Sequence, residues 1–539
     1  MSDAAIGSGG VSLPLLQLSP ATAATIIANA SDRVTDNRAI PAPPRFTIQR
    51  IAGQPNTISR PLFPTGETAR TMNRSAWTMA LTAFLLPASD LAAQTKPIDW
   101  RTFTAETQAI LANYLRINTT NPPGNEILAA RFLKAILDRE GIEARILDTT
   151  ELGPNRANLY ARLRGNGGKK AIALVHHMDV VPAVASYWTV DPFSGVVKDG
   201  YLWGRGALDM KGDGIMHLMS MIAIKRSGIP LTRDIVFIGN ADEELGSTGA
   251  QVFVDRHADL LRNVEYLITE GSDNYLDANG NVVYFSVGVA EKRAFWQHVL
   301  VKGTPSHGSK PTKQNPVPRL IAALYKIAQY ETPLHVTPGV DKFFRDISRT
   351  YPEPRHTWLS NIAAALGNPE AREWILNDVY WNAILRNTIS LTGLTGSNKT
   401  NVIPPEASAE IDIRLLPDQD PDSVLALLKR IVADTAVHFT PLLTPKPPLE
   451  SPTNTALFSA VERAVREREP KAFVTTPMET GATDRPIYRR LGIITYGLSG
   501  FKLPQVEIQR GVHGNDERVS PDNIAYGVRF FYDVLRYTQ

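Results

Sequence analysis

The sequence predicts an α/β fold, with a sheet covered by helices on both faces and a smaller α+β unit inserted into the chain. Two observations predict this class. Short apolar strands alternate with helical segments from Lys96 onward, the pattern of a sheet packed between helices. The pattern changes over residues 294–409 and then returns. We therefore expect a first domain made of residues 95–293 and 410–539, with the second unit between them.

The elements of the first domain follow one another at regular intervals. Helical periodicity and short apolar runs assign them as helices at 104–115, 127–139, 214–226, 422–434, 455–466 and 521–536, and strands at 159–163, 171–176, 234–239 and 266–269. This alternation predicts an α/β sheet, and the functional residues of such sheets gather at the carboxyl ends of the strands.

The inserted unit has a different pattern of strands and helices. It is expected to hold strands at 294–302, 388–393 and 407–415 and a helix near 316–330. Residues 331–387 contain Trp, Pro and Arg and are mostly helical in pattern. We interpret them as a further insertion inside the unit, with Trp358, Trp374 and Trp381 in its own core rather than on a substrate platform.

Composition limits the classes of function. The 539 residues exceed what one hydrophobic core usually supports. The net charge of +3 comes without a long Lys/Arg run, so neither a nucleic-acid partner nor a membrane-surface site is expected. The chain has no cysteine, which excludes disulfides and thiolate zinc sites. Any metal must be bound by His and carboxylate groups.

The N-terminal region predicts an export signal. Met72 opens a segment with a basic start, an apolar run at 77–88 and small residues up to Gln94, in the order typical of a secretory signal peptide. The run is too short to span a bilayer. We expect translation to start at Met72, a signal at 72–94, and 1–71 to be spurious or disordered. The alternative is a buried helix of a small N-terminal domain and a cytoplasmic protein.

Carboxylates and histidines follow the predicted strands. His177, Asp242, Glu243, Glu244 and Glu270 come directly after apolar runs, where functional residues of such sheets gather. These groups, without thiolates, suit zinc, cobalt or manganese at a hydrolytic centre.

Three further features fit a pair of ions. Asp209 lies in a Gly-rich loop, where it could approach two ions without a steric conflict. Asp179, two residues beyond His177, could orient that imidazole through a hydrogen bond. Glu243 and Glu244 are adjacent and therefore point in different directions, so that one can bind a metal while the other acts on water.

Four separated motifs resemble the zinc aminoacylase/carboxypeptidase family, which includes acetylornithine deacetylase and succinyl-diaminopimelate desuccinylase. They are 173–182, 204–213, 242–250 and 512–517. The similarity covers about residues 100–539, in the family's order. The segments 191–195 and 203–206 are typical of the carboxypeptidase-S-like enzymes and N-acyl-amino-acid hydrolases. The resemblance implies a zinc-peptidase α/β/α sandwich with a ferredoxin-like lid.

The resemblance also implies roles for the metal centre. Asp209 would bridge two zinc ions, with His177 and Glu270 completing one site, and Glu244 and His513 completing the other. Glu243 would be the general base and Asp179 the orienting carboxylate. The peptide bond after the bridging Asp209 would be cis.

In the inserted unit the resemblance implies substrate contacts. His307 would help to bind the oxyanion, although an exposed turn residue is the alternative, and Asn401 and Arg414 would hold the substrate, Arg414 through its free carboxylate. Thr483 lies in a segment, 481–484, that matches a loop on the substrate side. The family also includes homodimers. The insertion at 331–387 departs from the family pattern, and we expect it to line the acyl pocket.

These features predict a hydrolase that cleaves the amide bond of a peptide or an N-acyl amino acid with a free carboxylate. Carboxypeptidase or dipeptidase activity and N-acyl amino acid hydrolysis both remain open, because the sequence does not reveal the acyl pocket. A non-hydrolytic metal-binding receptor or scaffold is the alternative of a different class. It would be indicated by loss of Glu243 or of a ligand, and all of these residues are present.

Overall fold

A computed structural model of the chain describes residues 95–149, 152–271, 273–443, 446 and 450–539. The predicted signal at 72–94 and the preceding residues 1–71 lie outside this part, so export stays a prediction. Within the described ranges, no helix combines the length and apolar character needed to cross a membrane.

A six-stranded sheet forms the centre of the first domain. Across the sheet its strands are β1 (Glu143–Asp148), β2 (Ala157–Leu163), β6 (Ile235–Asn240), β3 (Ala171–His177), β7 (Val264–Thr269) and β18 (Ile494–Gly497). The four strands from β6 to β18 are mutually parallel, whereas β1 and β2 pair antiparallel. The carboxyl ends of the parallel strands therefore meet at one edge of the sheet.

Helices cover both faces of this sheet. Alternate residues of β3 enter opposite cores, Ile172 and Leu174 on one face and Ala173 and Val175 on the other, as the two-residue period of a strand requires. The first face packs against α1 (Trp100–Leu115), α2 (Glu126–Arg139), α3 (Lys211–Ser227), α13 (Ala456–Arg468) and α16 (Pro521–Thr538). The second face packs against α5 (Thr248–His257) and α14 (Arg485–Arg489). The predicted α/β/α arrangement is confirmed.

Smaller elements complete the domain. They are the sheet of β4 (Val196–Lys198), β5 (Tyr201–Trp203) and β19 (Arg518–Val519), the sheet of β8 (Tyr275–Leu276), β9 (Val282–Ser286) and β17 (Phe473–Thr475), and the short helices α4 (Glu243–Gly246) and α15 (Gln505–Gly511). Pairing of β5 with β19 brings the 512–517 motif beside the 204–213 loop, across about three hundred residues of sequence.

The inserted unit, called the lid below, is a second sheet with two helices. Its main sheet contains β10 (Arg293–Ala294), β11 (Gln297–Lys302), β13 (Thr388–Thr395), β15 (Glu406–Leu415) and β16 (Val437–Pro441), and its helices are α6 (Pro316–Ala328) and α12 (Pro421–Val432). A short pair, β12 (Ser306–His307) and β14 (Val402–Ile403), extends from it. The order β11, α6, β13, β15, α12, β16 is the βαββαβ order of a ferredoxin-like fold, as predicted.

The predicted end of the lid at residue 409 is wrong. Strand β15 continues through that residue, and β16 pairs with β11 along the other side of the same sheet. Leu428 and Val432 of α12 share a core with Leu324 of α6. The lid therefore extends to Pro441. Its last helix and strand have the same local pattern as those of the first domain, so the sequence could not assign them.

The insertion at 331–387 is helical, as predicted, but it packs on the first domain. Its helices are α7 (Pro338–Ser348), α8 (Arg355–Ser360), α9 (Ile362–Ala365), α10 (Pro369–Leu376) and α11 (Val379–Ile384). Phe344 and Trp381 lie in the same continuous core as Phe285 and Met478. The rings of Trp374 and Trp381 contact each other, with centroids 5.3 Å apart.

This packing predicts a large effect of a core substitution in the insertion. Phe344 is fully buried, so Phe344→Ala should lower the free energy of unfolding by about 3–5 kcal/mol, measured by denaturant titration. Val379, in the same insertion, is 86% exposed, and Val379→Ala should change it by less than about 0.5 kcal/mol. Equal effects of the two substitutions would mean that the insertion is only loosely attached.

Candidate metal centre

The parallel strands present three groups of polar residues at one edge. His177 is the last residue of β3, Glu243 and Glu244 begin α4 shortly after β6, and Glu270 follows β7. These three strands are neighbours in the sheet. Asp209 and His513 reach the same edge from loops that the pairing of β5 and β19 holds together.

The five predicted ligands converge on one point. The Nε2 atom of His177 lies 3.0 Å from Oδ1 of Asp209 and 3.6 Å from Oε2 of Glu270. The Nε2 atom of His513 lies 3.1 Å from Oδ2 of Asp209 and 3.1 Å from Oε2 of Glu244. Asp209 thus directs one oxygen to each imidazole, which is the arrangement required of a carboxylate that bridges two ions.

Glu517 holds the loop that carries Asp209. Its carboxylate accepts hydrogen bonds from the backbone N–H groups of Gly206, Leu208 and Asp209, at 2.9, 2.6 and 3.1 Å, and from the guanidinium of Arg205 at 2.7 Å. Glu517 is fully buried. The Asp209–Met210 peptide bond that follows is cis, as the resemblance implied. Glu517 ends the 512–517 motif, but the residues around it in the sequence do not indicate this role.

We expect Glu517→Gln to weaken metal binding without removing a ligand. The amide would turn an NH₂ group toward donors that now face a carboxylate, at a cost of about 1–3 kcal/mol in the free energy of unfolding. Partners that orient ligands typically contribute about 10- to 100-fold to metal affinity. Metal titration of the purified variant would measure this loss. The exposed Glu462 of α13 supplies a matched control, Glu462→Gln, which should bind metal as the wild type does.

Asp179 supports the turn of Glu243 and Glu244 more directly than it supports His177. The Nδ1 atom of His177 lies 3.0 Å from the backbone carbonyl oxygen of Asp179 and 3.6 Å from its carboxylate. The carboxylate instead accepts from the backbone N–H groups of Glu243 and Glu244, at 3.1 Å each, and from the amide of Asn121 at 2.8 Å. Asn121 is a supporting residue that the sequence did not indicate.

The electrostatics of the cluster favour added positive charge. Burial, reinforced by the charge of Glu270, raises the pKa of Glu243 well above its ordinary value. Burial also raises the pKa of Glu270 to about 7. Hydrogen bonds with Asp209 and Glu244 raise the pKa of His513 to about 10. Several partly buried carboxylates thus surround the two imidazoles, and bound cations favour ionised carboxylates and neutral imidazoles.

The residues present fit divalent ions. Ligand atoms of His177, Asp209 and Glu244 lie within 4.8 Å of one another, as do those of His177, Glu243 and Glu270. The Oε1 atom of Glu244 is buried and has no hydrogen-bond partner among the described residues. Imidazole and carboxylate donors at this spacing suit zinc, cobalt or manganese.

A cavity of about 500 Å³ opens beside these residues. Its lining includes both acidic residues and the apolar residues Leu208, Met210, Phe501, Ile508 and Val512. Its lining residues, within the described part of the chain, include none from 331–387. The expectation that the insertion lines the acyl pocket is therefore not supported for this cavity, because the insertion packs against the core of the first domain instead.

Thr483 lies in the wall of the cavity, in the predicted segment 481–484. Its hydroxyl donates to Glu291 at 2.8 Å and accepts from the backbone N–H of Arg485 at 3.2 Å. The Arg485 guanidinium is fully buried and pairs with Glu291 at 3.0 Å. Thr483 thus faces the cavity while its side chain stabilises the loop.

The other predicted substrate contacts all lie on the lid. His307 is exposed, with Nδ1 2.8 Å from the hydroxyl of Ser309, and the backbone carbonyl of Asn401 accepts from Gly308 at 2.8 Å. Arg414 pairs with Asp412 at 2.8 Å. None of His307, Asn401 and Arg414 is among the described residues that line the cavity. Their roles toward the substrate stay predictions.

A sheet edge that gathers two histidines and several carboxylates beside a cavity is typical of the active site of a metal-dependent enzyme. Residues 173–537 match the sequence profile of Peptidase family M20/M25/M40, and the chain belongs to this family. The resemblance drawn from the motifs is confirmed, and a non-hydrolytic receptor or scaffold is not supported.

Individual relatives agree with this assignment. Human N-fatty-acyl-amino acid synthase/hydrolase PM20D1 is 30% identical over 375 residues, covering 67% of this chain and 73% of the relative. Probable carboxypeptidase S-like 2 of Dictyostelium discoideum is 27% identical over 379 residues, covering 69% and 72%. The crystal structure of the M20 family metallo-carboxypeptidase Sso-CP2 from Sulfolobus solfataricus has the same fold, with a TM-score of 0.62 at 20% identity, covering 80% of this chain and 99% of that chain.

Proposed function

We propose that this protein hydrolyses the amide bond of N-acyl amino acids with two divalent ions, zinc in the simplest case. His177, Asp209 and Glu270 would hold one ion, and Asp209, Glu244 and His513 the other. The observation that carries the proposal is the position of Asp209, whose two oxygens lie 3.0 and 3.1 Å from the two histidines.

Two bound ions would supply Lewis acidity, lowering the pKa of water and polarising the scissile carbonyl. Glu243 accepts the proton of the attacking water and donates it to the leaving nitrogen. The oxygen of that water forms a bond to the acyl carbon, and the amide C–N bond breaks, which releases a carboxylic acid and a free amino acid. The Asp179 carboxylate keeps Glu243 and Glu244 in place by accepting hydrogen bonds from their backbone N–H groups.

The lining of the cavity supports an N-acyl amino acid with an apolar acyl group as the preferred substrate. Hydrocarbon surface in this lining comes from Leu208, Met210, Phe501, Ile508 and Val512. An acyl chain readily displaces water from apolar surface of this kind. The human relative is named for N-fatty-acyl-amino acids, and a fatty acyl group would suit the apolar residues that line the cavity. Peptide hydrolysis is the second candidate, because another relative is described as carboxypeptidase S-like.

A chain-length series tests the proposal. The purified protein, reconstituted with zinc or cobalt, would be assayed against N-acyl amino acids from acetyl to long acyl chains and against dipeptides. Each added CH₂ group that becomes buried should raise kcat/KM by about fourfold, because it contributes about 0.8 kcal/mol of transfer free energy. The increase should stop once the acyl chain covers the apolar lining of the cavity. Removal of metal by a chelator should abolish turnover. Dipeptides cleaved faster than every acyl substrate would instead favour the peptidase alternative.

The lid would supply further contacts to the substrate. His307 would contribute to oxyanion binding and Asn401 and Arg414 to substrate binding, and each would have to approach the cavity with the lid. A homodimer, in which a neighbouring lid supplies the histidine, also stays a prediction.

A further inference from the structure

Lys446 lies in the segment that returns from the lid to the first domain. The chain leaves β16 at Pro441 and rejoins the first domain where Glu450 bridges Ala290. Between these points, the Nζ atom of Lys446 donates to the hydroxyl of Ser247 at 2.7 Å and to the backbone carbonyl of Thr483 at 2.7 Å. Both acceptors belong to segments of the candidate active site.

Ser247 connects Lys446 to Glu243. Ser247 directly follows α4 and is fully buried, and its hydroxyl donates to Oε1 of Glu243 at 3.4 Å. An ammonium group can only donate, so the oxygen of Ser247 accepts from Lys446 and its proton remains free for Glu243. A chain of hydrogen bonds therefore leads from Lys446 through Ser247 to the carboxylate of Glu243, and Asp484 is a second carboxylate within reach of the same hydroxyl.

The chain passes between the first domain and the lid twice, and the two connecting segments meet at Lys446. In the segment that enters the lid, Arg293 donates through Nε to the backbone carbonyl of Lys446 at 2.8 Å, and Glu291 accepts a hydrogen bond from the hydroxyl of Thr483. On the return connection, Lys446 holds the carbonyl of the same Thr483. A change in the position of the lid would thus act on Ser247 and Thr483 together.

We propose that Lys446 is a positioning residue for Glu243. Through Ser247 it fixes the orientation of the Glu243 carboxylate, and it links that orientation to the connections between the lid and the first domain. This inference rests on the proposed function, in which Glu243 is the general base. A lysine that only fastened the return segment would contribute to stability and would leave the chemical step unchanged.

The absence of cysteine from the chain allows a selective test. Lys446→Cys introduces a single thiol, which 2-bromoethylamine converts into an aminoethyl side chain that restores the ammonium group at nearly the original length. Iodoacetamide converts the same thiol into a neutral side chain. Lys446→Met gives an uncharged side chain of similar size. Mass spectrometry would confirm each modification.

We expect Lys446→Met and Lys446→Cys to lower kcat by about 10- to 100-fold, the range for a misplaced catalytic group. KM, metal content and melting temperature should stay close to those of the wild type. Aminoethylation should restore most of kcat, and the neutral modification should not. Normal kcat in Lys446→Met, or equal rescue by both reagents, would overturn the inference, as would a loss of kcat explained by lost metal or unfolding.

Glu243→Gln, assayed in parallel, separates this inference from the proposed function. An active Glu243→Gln protein would refute the assignment of the base, and with it the reason for positioning Glu243. An inactive Glu243→Gln protein together with a fully active Lys446→Met protein would refute only the role of Lys446.

Discussion

Asp209→Ala is expected to remove metal and activity together. Asp209 is the residue whose two oxygens contact both histidines, at 3.0 and 3.1 Å, so its loss removes a ligand from each ion. Metal content, measured by plasma mass spectrometry, should fall from two ions per chain to one or none. Turnover should fall by at least about 10³-fold, more than the loss of a single oxyanion donor causes.

Asp209→Asn provides a graded comparison. The amide keeps one oxygen and replaces the other with an NH₂ group, so it can serve one ion but cannot bridge two. We expect it to keep about one ion per chain and to lose activity nearly as completely as Asp209→Ala. Melting curves of the wild-type and variant proteins, each treated with a chelator, would show whether the variants fold. Two tightly bound ions in Asp209→Ala would contradict the bridging role.

The residues of the candidate metal centre could be predicted from the sequence because most of them lie at the ends of strands. His177 ends one buried apolar strand and Glu270 directly follows another, and parallel strands bring their carboxyl ends to the same edge. His513 could be included only through the motif resemblance, since its approach depends on the pairing of β5 with β19. Its backbone adopts a positive φ of 57°, which no local pattern around it predicts.

The sequence did not allow the supporting residues to be predicted. Glu517 contacts the Asp209 loop across more than three hundred residues, and Lys446 reaches Ser247 across almost two hundred. A buried glutamate with four donors and an exposed glutamate look alike in a single sequence. Such roles depend on the three-dimensional path of loops, which propensity and periodicity do not describe.

The boundaries of the lid could not be predicted for a related reason. Strand β16 and helix α12 have the same local features whether they join the lid or the first domain, and only the pairing of β16 with β11 decides. The helical character of 331–387 was predictable, whereas its docking was not. Phe344 contributes to the core of the first domain through contacts with residues distant in sequence.

Glu243→Gln is expected to abolish turnover while the protein keeps both ions. Glutamine matches glutamate in shape but cannot accept the proton of the attacking water, and the loss of a general base typically lowers kcat by about 10²–10⁴-fold. The substitution leaves all five proposed ligands in place. Metal content should therefore equal that of the wild type, and Glu462→Gln, remote and exposed, should be unchanged in both measurements.

The same variant distinguishes a base from a ligand. A carboxylate oxygen of Glu243 lies within 4.8 Å of the ligand atoms of His177 and Glu270, close enough for Glu243 to contact an ion held there. If Glu243 were itself a ligand, Glu243→Gln would weaken metal binding and turnover together, as Asp209→Ala should. Loss of kcat at full metal content would instead assign to Glu243 a role in proton transfer, because its ability to accept a proton is what the substitution removes.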